Sequence, residues 1–118
     1  MRTVDEWKGV LRTALQEAMR ARQAEAVAAL RETLAAIDNA EAPPLAYAPP
    51  PGEGPIAGSA AGLGAGEIAR RALSAEEVLA IVQREIRERR EAAATWEALG
   101  KGEEAARLRR QADALAAL

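Results

Sequence analysis

The sequence predicts an all-α protein, a helical bundle of about four main helices arranged as two hairpins and joined by a Pro/Gly-rich crossover linker. Three observations predict it. Apolar residues recur at steps of three and four, the spacing of one face of a helix. Two segments, Thr3-Val4-Asp5-Glu6 and Ser74-Ala75-Glu76-Glu77, have the form of a capping box, in which a hydroxyl and a glutamate satisfy each other's backbone amides at a helix start. No run of alternating β-branched residues occurs, so nothing seeds a strand. The 118 residues suffice for one domain.

The first helix follows Thr3, with Trp7, Val10, Leu11, Ala14, Leu15, Ala18 and Met19 on one stripe. Arg20-Ala21-Arg22-Gln23 is polar and reads as a tight turn, although no residue in it forbids a continuous helix. The second helix spans about Ala24 to Glu41, with Val27, Leu30, Leu34 and Ile37 as its stripe. Pro43-Pro44 ends it, because a residue before proline is pushed out of the α region.

All six prolines fall between Pro43 and Pro55, and Ile56 to Gly66 is rich in Gly, Ala and Ser. Residues 42–65 therefore read as an extended surface linker, partly polyproline-like. A PxxP ligand is the functional alternative, but no basic residue flanks the segment. A short helix over Gly66–Ala72 is compatible with the sequence. The longest helix then opens at Ser74, with Val78, Val82, Ile86, Ala93 and Trp96 on its stripe and Leu79 and Ile81 beside it. Gly100 supplies the residue that tolerates a left-handed helix end, and Lys101-Gly102 forms the turn. The last helix starts at Glu103, with Ala105, Leu108, Ala112, Leu115 and Leu118 facing inward. Trp7 and Trp96 are both expected in the core, Trp96 against Ala105 or Leu108.

Composition narrows the function classes. The chain has no His and no Cys, which removes thiol and imidazole catalysis, disulfides and the usual zinc sites; no cofactor or metal is expected. Aromatic residues make up 3%, too few for base-stacking platforms. Sixteen basic against eighteen acidic side chains leave a net charge of −2, unlike a phosphate-binding module. No apolar stretch approaches a membrane span and the N-terminus has no signal-peptide core, so a cytoplasmic location and no membrane partner are expected.

The charge cluster Arg84-Glu85-Ile86-Arg87-Glu88-Arg89-Arg90-Glu91 admits two readings. As a functional feature, Arg84, Arg87 and Arg90 form an outward row able to meet RNA phosphates or a protein partner. As a structural feature, pairs four apart (Arg84 with Glu88, Glu85 with Arg89, Arg87 with Glu91) lace a solvated helix. Arg31 lies at the edge of the second stripe, Arg89 or Arg90 falls where an apolar residue belongs, and Arg31, Asn39, Glu85 and Arg89 are read as structural polar residues. An arginine near a seam requires an acidic or carbonyl partner, and Glu85 is the local one for Arg89. Glu76-Glu77 and Glu103-Glu104 open helices and complement their dipoles.

Leu30-Arg31, Ile37-Asp38-Asn39-Ala40-Glu41, Glu76-Glu77-Val78, Glu85-Ile86-Arg87-Glu88-Arg89-Arg90-Glu91, Trp96 and Gly100, in that order, resemble the helical half of the GatB/YqeY family. The resemblance covers Ser74–Leu118 most specifically and Thr3–Glu41 more loosely. It implies a non-catalytic accessory or binding module connected with tRNA-dependent amidotransferase function or tRNA metabolism. The family's carbon–nitrogen ligase chemistry, with glutamine as amide donor, belongs to other domains and subunits. The alternative is a protein-interaction or homodimerisation module with no RNA role. Two departures stand out: the 42–72 segment is longer and richer in Pro and Gly than the family loop, and the sequence given ends at Leu118, before the small helical tail that meets tRNA in the related amidotransferase subunit.

Overall fold

A computed structural model describes residues 1–43 and 70–118. Four helices account for most of them: α1 (Val4–Arg20), α2 (Ala24–Glu41), α3 (Ala75–Ala98) and α4 (Gly102–Ala116). No strand occurs among the described residues, so the all-α bundle read from the sequence is the architecture observed. α1 and α2 form one hairpin and α3 and α4 the other, with α2 packed chiefly on α4.

Both capping boxes form. Thr3 Oγ1 accepts from the Glu6 amide at 3.1 Å and Glu6 Oε1 accepts from the Thr3 amide at 3.1 Å. Ser74 and Glu77 repeat the arrangement at 3.1 Å in both directions. The two hairpin turns share a second device. After α1, the Gln23 amide donates to Ala18 O and the Arg22 amide to Met19 O; after α3, the Lys101 amide donates to Trp96 O and the Gly100 amide to Glu97 O. Each is a Schellman motif, which closes a helix with one left-handed residue. Gly100, at φ 75°, fills that place after α3 as the sequence predicts. After α1 the place is held by Arg22 at φ 56°, a conformation in which a Cβ crowds the following carbonyl.

The core is assembled from one stripe of each helix: Trp7, Leu11 and Ala18; Ala29, Leu30 and Ile37; Val78, Ile81, Val82 and Ala93; Ala105, Ala112 and Leu115. Ala93, Ala105 and Ala112 are fully buried, so α3 and α4 approach closely across small side chains. Thr33, outside the expected stripe, is also fully buried, and its hydroxyl is satisfied by donating to Ala29 O at 2.8 Å. Arg2 stacks 4.8 Å over the Trp7 ring and covers it, which leaves Trp7 only 7% exposed.

The structure corrects four expectations. Trp96 is 39% exposed and does not belong to the core. It lies on the inward phase of α3 but about 10 Å along the axis beyond Arg89. There α2 has turned aside, its first-turn residue Glu25 bonding Gln111 of α4. Spacing identifies a helix face, not the length of the partner that covers it. Met19, expected on the first stripe, is likewise 49% exposed at the end of α1. Residues 70–72 are not helical; the rest of the Gly66–Ala72 segment, like linker residues 44–65, lies outside the described residues. The last helix begins at Gly102, one residue before the expected start.

Two measurements check this fold. Trp7→Ala should cost about 3–5 kcal/mol in chemical denaturation, as for other buried large-to-small changes, whereas Trp96→Ala should cost about 1 kcal/mol or less. A similar loss for both would contradict the overhanging hairpin tip. The second concerns acid. Glu6 is held below its ordinary 4.5 chiefly by the Thr3 amide, and Glu77 chiefly by the Ser74 amide and then by Arg71. A depressed folded value adds stability that is full above pH 4.5 and lost as pH falls through the folded values. The Glu6→Gln/Glu77→Gln variant should therefore lose less stability than the parent on acidification below about pH 4.5. Parallel acid limbs would show that the ionised carboxylates of Glu6 and Glu77 add nothing to stability.

Candidate binding face of the long helix

α3 carries arginines on two sides, with opposite fates. Arg89 points inward and is 6% exposed. Of the two arginines in the gap between Ile86 and Ala93, the fold buries this one, because it lies on the phase of Val78, Val82 and Ala93. A guanidinium presents five N–H donors, and the surrounding helices take up four bonds. Nε donates to Gln111 Oε1 at 3.0 Å. Nη1 donates to Glu85 Oε1 at 2.9 Å and to Glu85 O at 3.1 Å. Nη2 donates to Glu32 Oε2. Gln111 Nε2 in turn donates to Glu25 Oε1 at 3.0 Å.

The chain Glu25–Gln111–Arg89–Glu85/Glu32 thus joins α2, α3 and α4. Desolvating a guanidinium is expensive, and this pairing makes its burial tolerable. Glu32 remains largely in water, its side chain 61% exposed, so the inner half of the pairing rests on Glu85, at 13%. Arg89 faces its own helices and is not available to a ligand.

The opposite side of α3 is open. Arg84 and Arg87 are exposed, their Nε atoms 3.8 Å from Glu88 and 3.9 Å from Glu91. Arg90 is exposed and makes no ion pair among the described residues. Arg87 and Arg90, with Gln83, Ile86, Glu91 and Ala94, line a shallow depression. A neighbouring depression towards the start of α3 is lined by Arg71, Glu77, Ala80, Arg84 and Arg87. Ion pairs this long and exposed are worth about 0–1 kcal/mol, so each arginine can exchange its glutamate for another anion at little cost.

Other charged groups fasten the fold. Glu41 receives Lys8 at 2.7 Å and lies 3.7 Å from Arg70. Arg70 also bonds Asp38 at 2.8 Å, and Arg71 bonds Glu77. The Arg70 pairs tie the segment before α3 to the end of α2, and Arg71 fastens that segment to the first turn of α3. Arg31 and Asn39, singled out in the sequence as structural polar residues, are both exposed. Arg31 reaches the Met19 sulfur at 3.9 Å, and the Asn39 backbone carbonyl accepts from the Ala42 amide at 3.3 Å.

Of the groups around Arg89, Glu85 is legible in the sequence, four residues away on the same helix, whereas Glu32, Gln111 and Glu25 are not. Their only signal is the phase that places them beside buried positions, and it does not say which helices meet there. No three His, Cys, Asp or Glu side chains among the described residues gather in a way that would hold a metal ion, and no described helix is long and apolar enough to cross a membrane. Compared with known families, curated proteins and solved structures, the chain matches none.

Arg89→Ala should destabilise the protein by about 3 kcal/mol, since Glu85 and Gln111 would be left buried without their cation. Arg89→Leu combined with Glu85→Leu should recover most of that loss in urea unfolding, because it removes both charges together. An Arg89→Ala variant as stable as the parent would mean the clamp is idle.

Proposed function

We propose that this chain is a non-catalytic, GatB/YqeY-like helical binding module that serves as an accessory in tRNA-dependent amidation or tRNA metabolism. The observation supporting it is the exposed row Arg84, Arg87 and Arg90 on a helix fastened from its other side by Arg89. A row on a rigid helix keeps a constant spacing and meets successive phosphates without first being ordered. The amide-transfer chemistry is assigned to other proteins.

The glutamates that lace the row oppose it, and the net charge is −2. Binding of tRNA by the chain alone is therefore weak. Three phosphate contacts give a logarithmic salt slope of about −2 to −3. A second reading, a protein-interaction module without an RNA role, draws on Trp96 and Leu99, which are 39% and 66% exposed at the α3–α4 tip. Tryptophan is favoured in the anchoring centres of protein interfaces.

A salt titration of tRNA binding separates the two. The proposal expects binding at low salt that falls with that slope and disappears in a folded Arg84→Glu/Arg87→Glu/Arg90→Glu variant. Absence of binding at low salt, or binding indifferent to the triple change, would overturn the RNA role and leave the protein-interaction reading.

A further inference from the structure

The turn between α1 and α2 is the strained point of the described backbone. Arg22, at φ 56°, is the one non-glycine residue with positive φ among the described residues. Nothing else in Arg20-Ala21-Arg22-Gln23 interrupts a helix: the segment has neither Gly nor Pro, and Arg, Ala and Gln are all good helix formers. α2 also starts poorly. Gln23 makes no side-chain capping bond, so the first amides of α2 lack the partners that Thr3 and Ser74 give theirs.

The buried pattern ignores the turn. Trp7, Leu11, Ala14 and Ala18 on α1 are followed by Ala26, Ala29, Thr33, Ile37 and Ala40 on α2, all buried or half-buried. The steps of three and four continue in phase through Arg22, itself exposed, between Ala18 and Ala26, although α2 also buries Leu30 and half-buries Glu25, Val27 and Ala28 beside this stripe. A single helix over Val4–Glu41 is therefore what the local sequence favours, and the hairpin is imposed by packing.

We infer that α1 is an exchangeable element: Arg22 can relax into the right-handed helical region, fuse α1 with α2, and hand α1 to a second copy of this chain. The partner is identified by complementarity. The surface that α1 leaves is the one its own sequence fits, and an α1 from another copy restores the same contacts. The register permits it. Lys8 pairs with Glu41 at 2.7 Å, so α1 and α2 run antiparallel with their pairing centred on Ala24 and Glu25. Two fused helices laid antiparallel in that register are related by a two-fold axis at the same point, and each α1 covers the other copy's α2. Exchange conserves the core, relieves two left-handed arginines and supplies carbonyl partners to two uncapped helix starts. The closed monomer is favoured only by the high effective concentration of its own α1, so concentration sets the balance.

The Lys8–Glu41 pair provides the test. Lys8→Glu and Glu41→Lys each place like charges together in a closed monomer. In an exchanged heterodimer of the two variants, the two substituted side chains meet each other as an acid and a base. The unchanged Lys8 of one chain meets the unchanged Glu41 of the other, so both pairs return. The two variants, warmed together to their melting midpoint, cooled and analysed by size exclusion with light scattering, should yield a heterodimer in excess of either homodimer. Spin labels on Arg12→Cys and Ala35→Cys of one chain, diluted into unlabelled protein, should move from close neighbours to about 35 Å apart in the dimer fraction.

The hinge gives an independent arm. Arg22→Val, which disfavours the left-handed turn, should lower the dimer dissociation constant roughly tenfold, and Arg22→Gly should raise it roughly tenfold. A mixture that stays monomeric at millimolar concentration, or a dimer whose intrachain labels remain close, would overturn the inference.

Discussion

The burial of Arg89 is the constraint around which the bundle is arranged. A guanidinium with 6% exposure is tolerable only if its donors are met, and the groups that meet them come from three helices: Glu32 of α2, Glu85 of α3 and Gln111 of α4. The apolar part of the core is built largely from Ala, Leu, Ile and Val and would accept small slips of one helix along another at modest cost. The polar chain would not, since a slip of one turn would leave charge buried without a partner. Alanine sets how closely α3 and α4 approach, and Arg89 sets where along their lengths they do so.

That clamp divides α3 into a side that holds the fold and a side that faces solvent. Arg84, Arg87 and Arg90 lie outside the clamp, bound loosely or not at all among the described residues. The same residue type thus stands in two environments within two turns of one helix. The difference is one of phase, because a shift of one residue rotates a side chain by about 100° around the axis. The outward row is the part of the helix on which the proposed binding role rests. The inward arginine ties that helix to α2 through Glu32 and to α4 through Gln111.

The α1–α2 hairpin stands in a different balance. Its turn runs against local preference at Arg22 and is held by the burial of Trp7, Leu11 and Ala18 together with the Lys8–Glu41 pair. The α3–α4 hairpin, by contrast, turns at Gly100, where the left-handed conformation carries no Cβ penalty. The two halves are alike in topology and unlike in how willingly the chain makes the turn.

The amino-acid sequence carries the helices, their order and most of their ends. The signals for these are local: capping boxes at Thr3 and Ser74, proline after α2 and glycine after α3. It also determined most of the buried stripe, because inward positions repeat every three or four residues whatever lies opposite. The pairs Arg84–Glu88, Glu85–Arg89 and Arg87–Glu91 were legible for the same reason, since both partners belong to one helix. Packing settled whatever depends on a second element. It chose Arg89 over Arg90 for burial, brought Glu32, Gln111 and Glu25 to it, and buried Thr33 against its own helix. It left Trp96 in solvent, because coverage depends on where α2 departs from α3, and forced Arg22 into a turn that nothing local requires. Periodicity names the face a residue occupies; only packing decides how far a neighbouring helix extends over it.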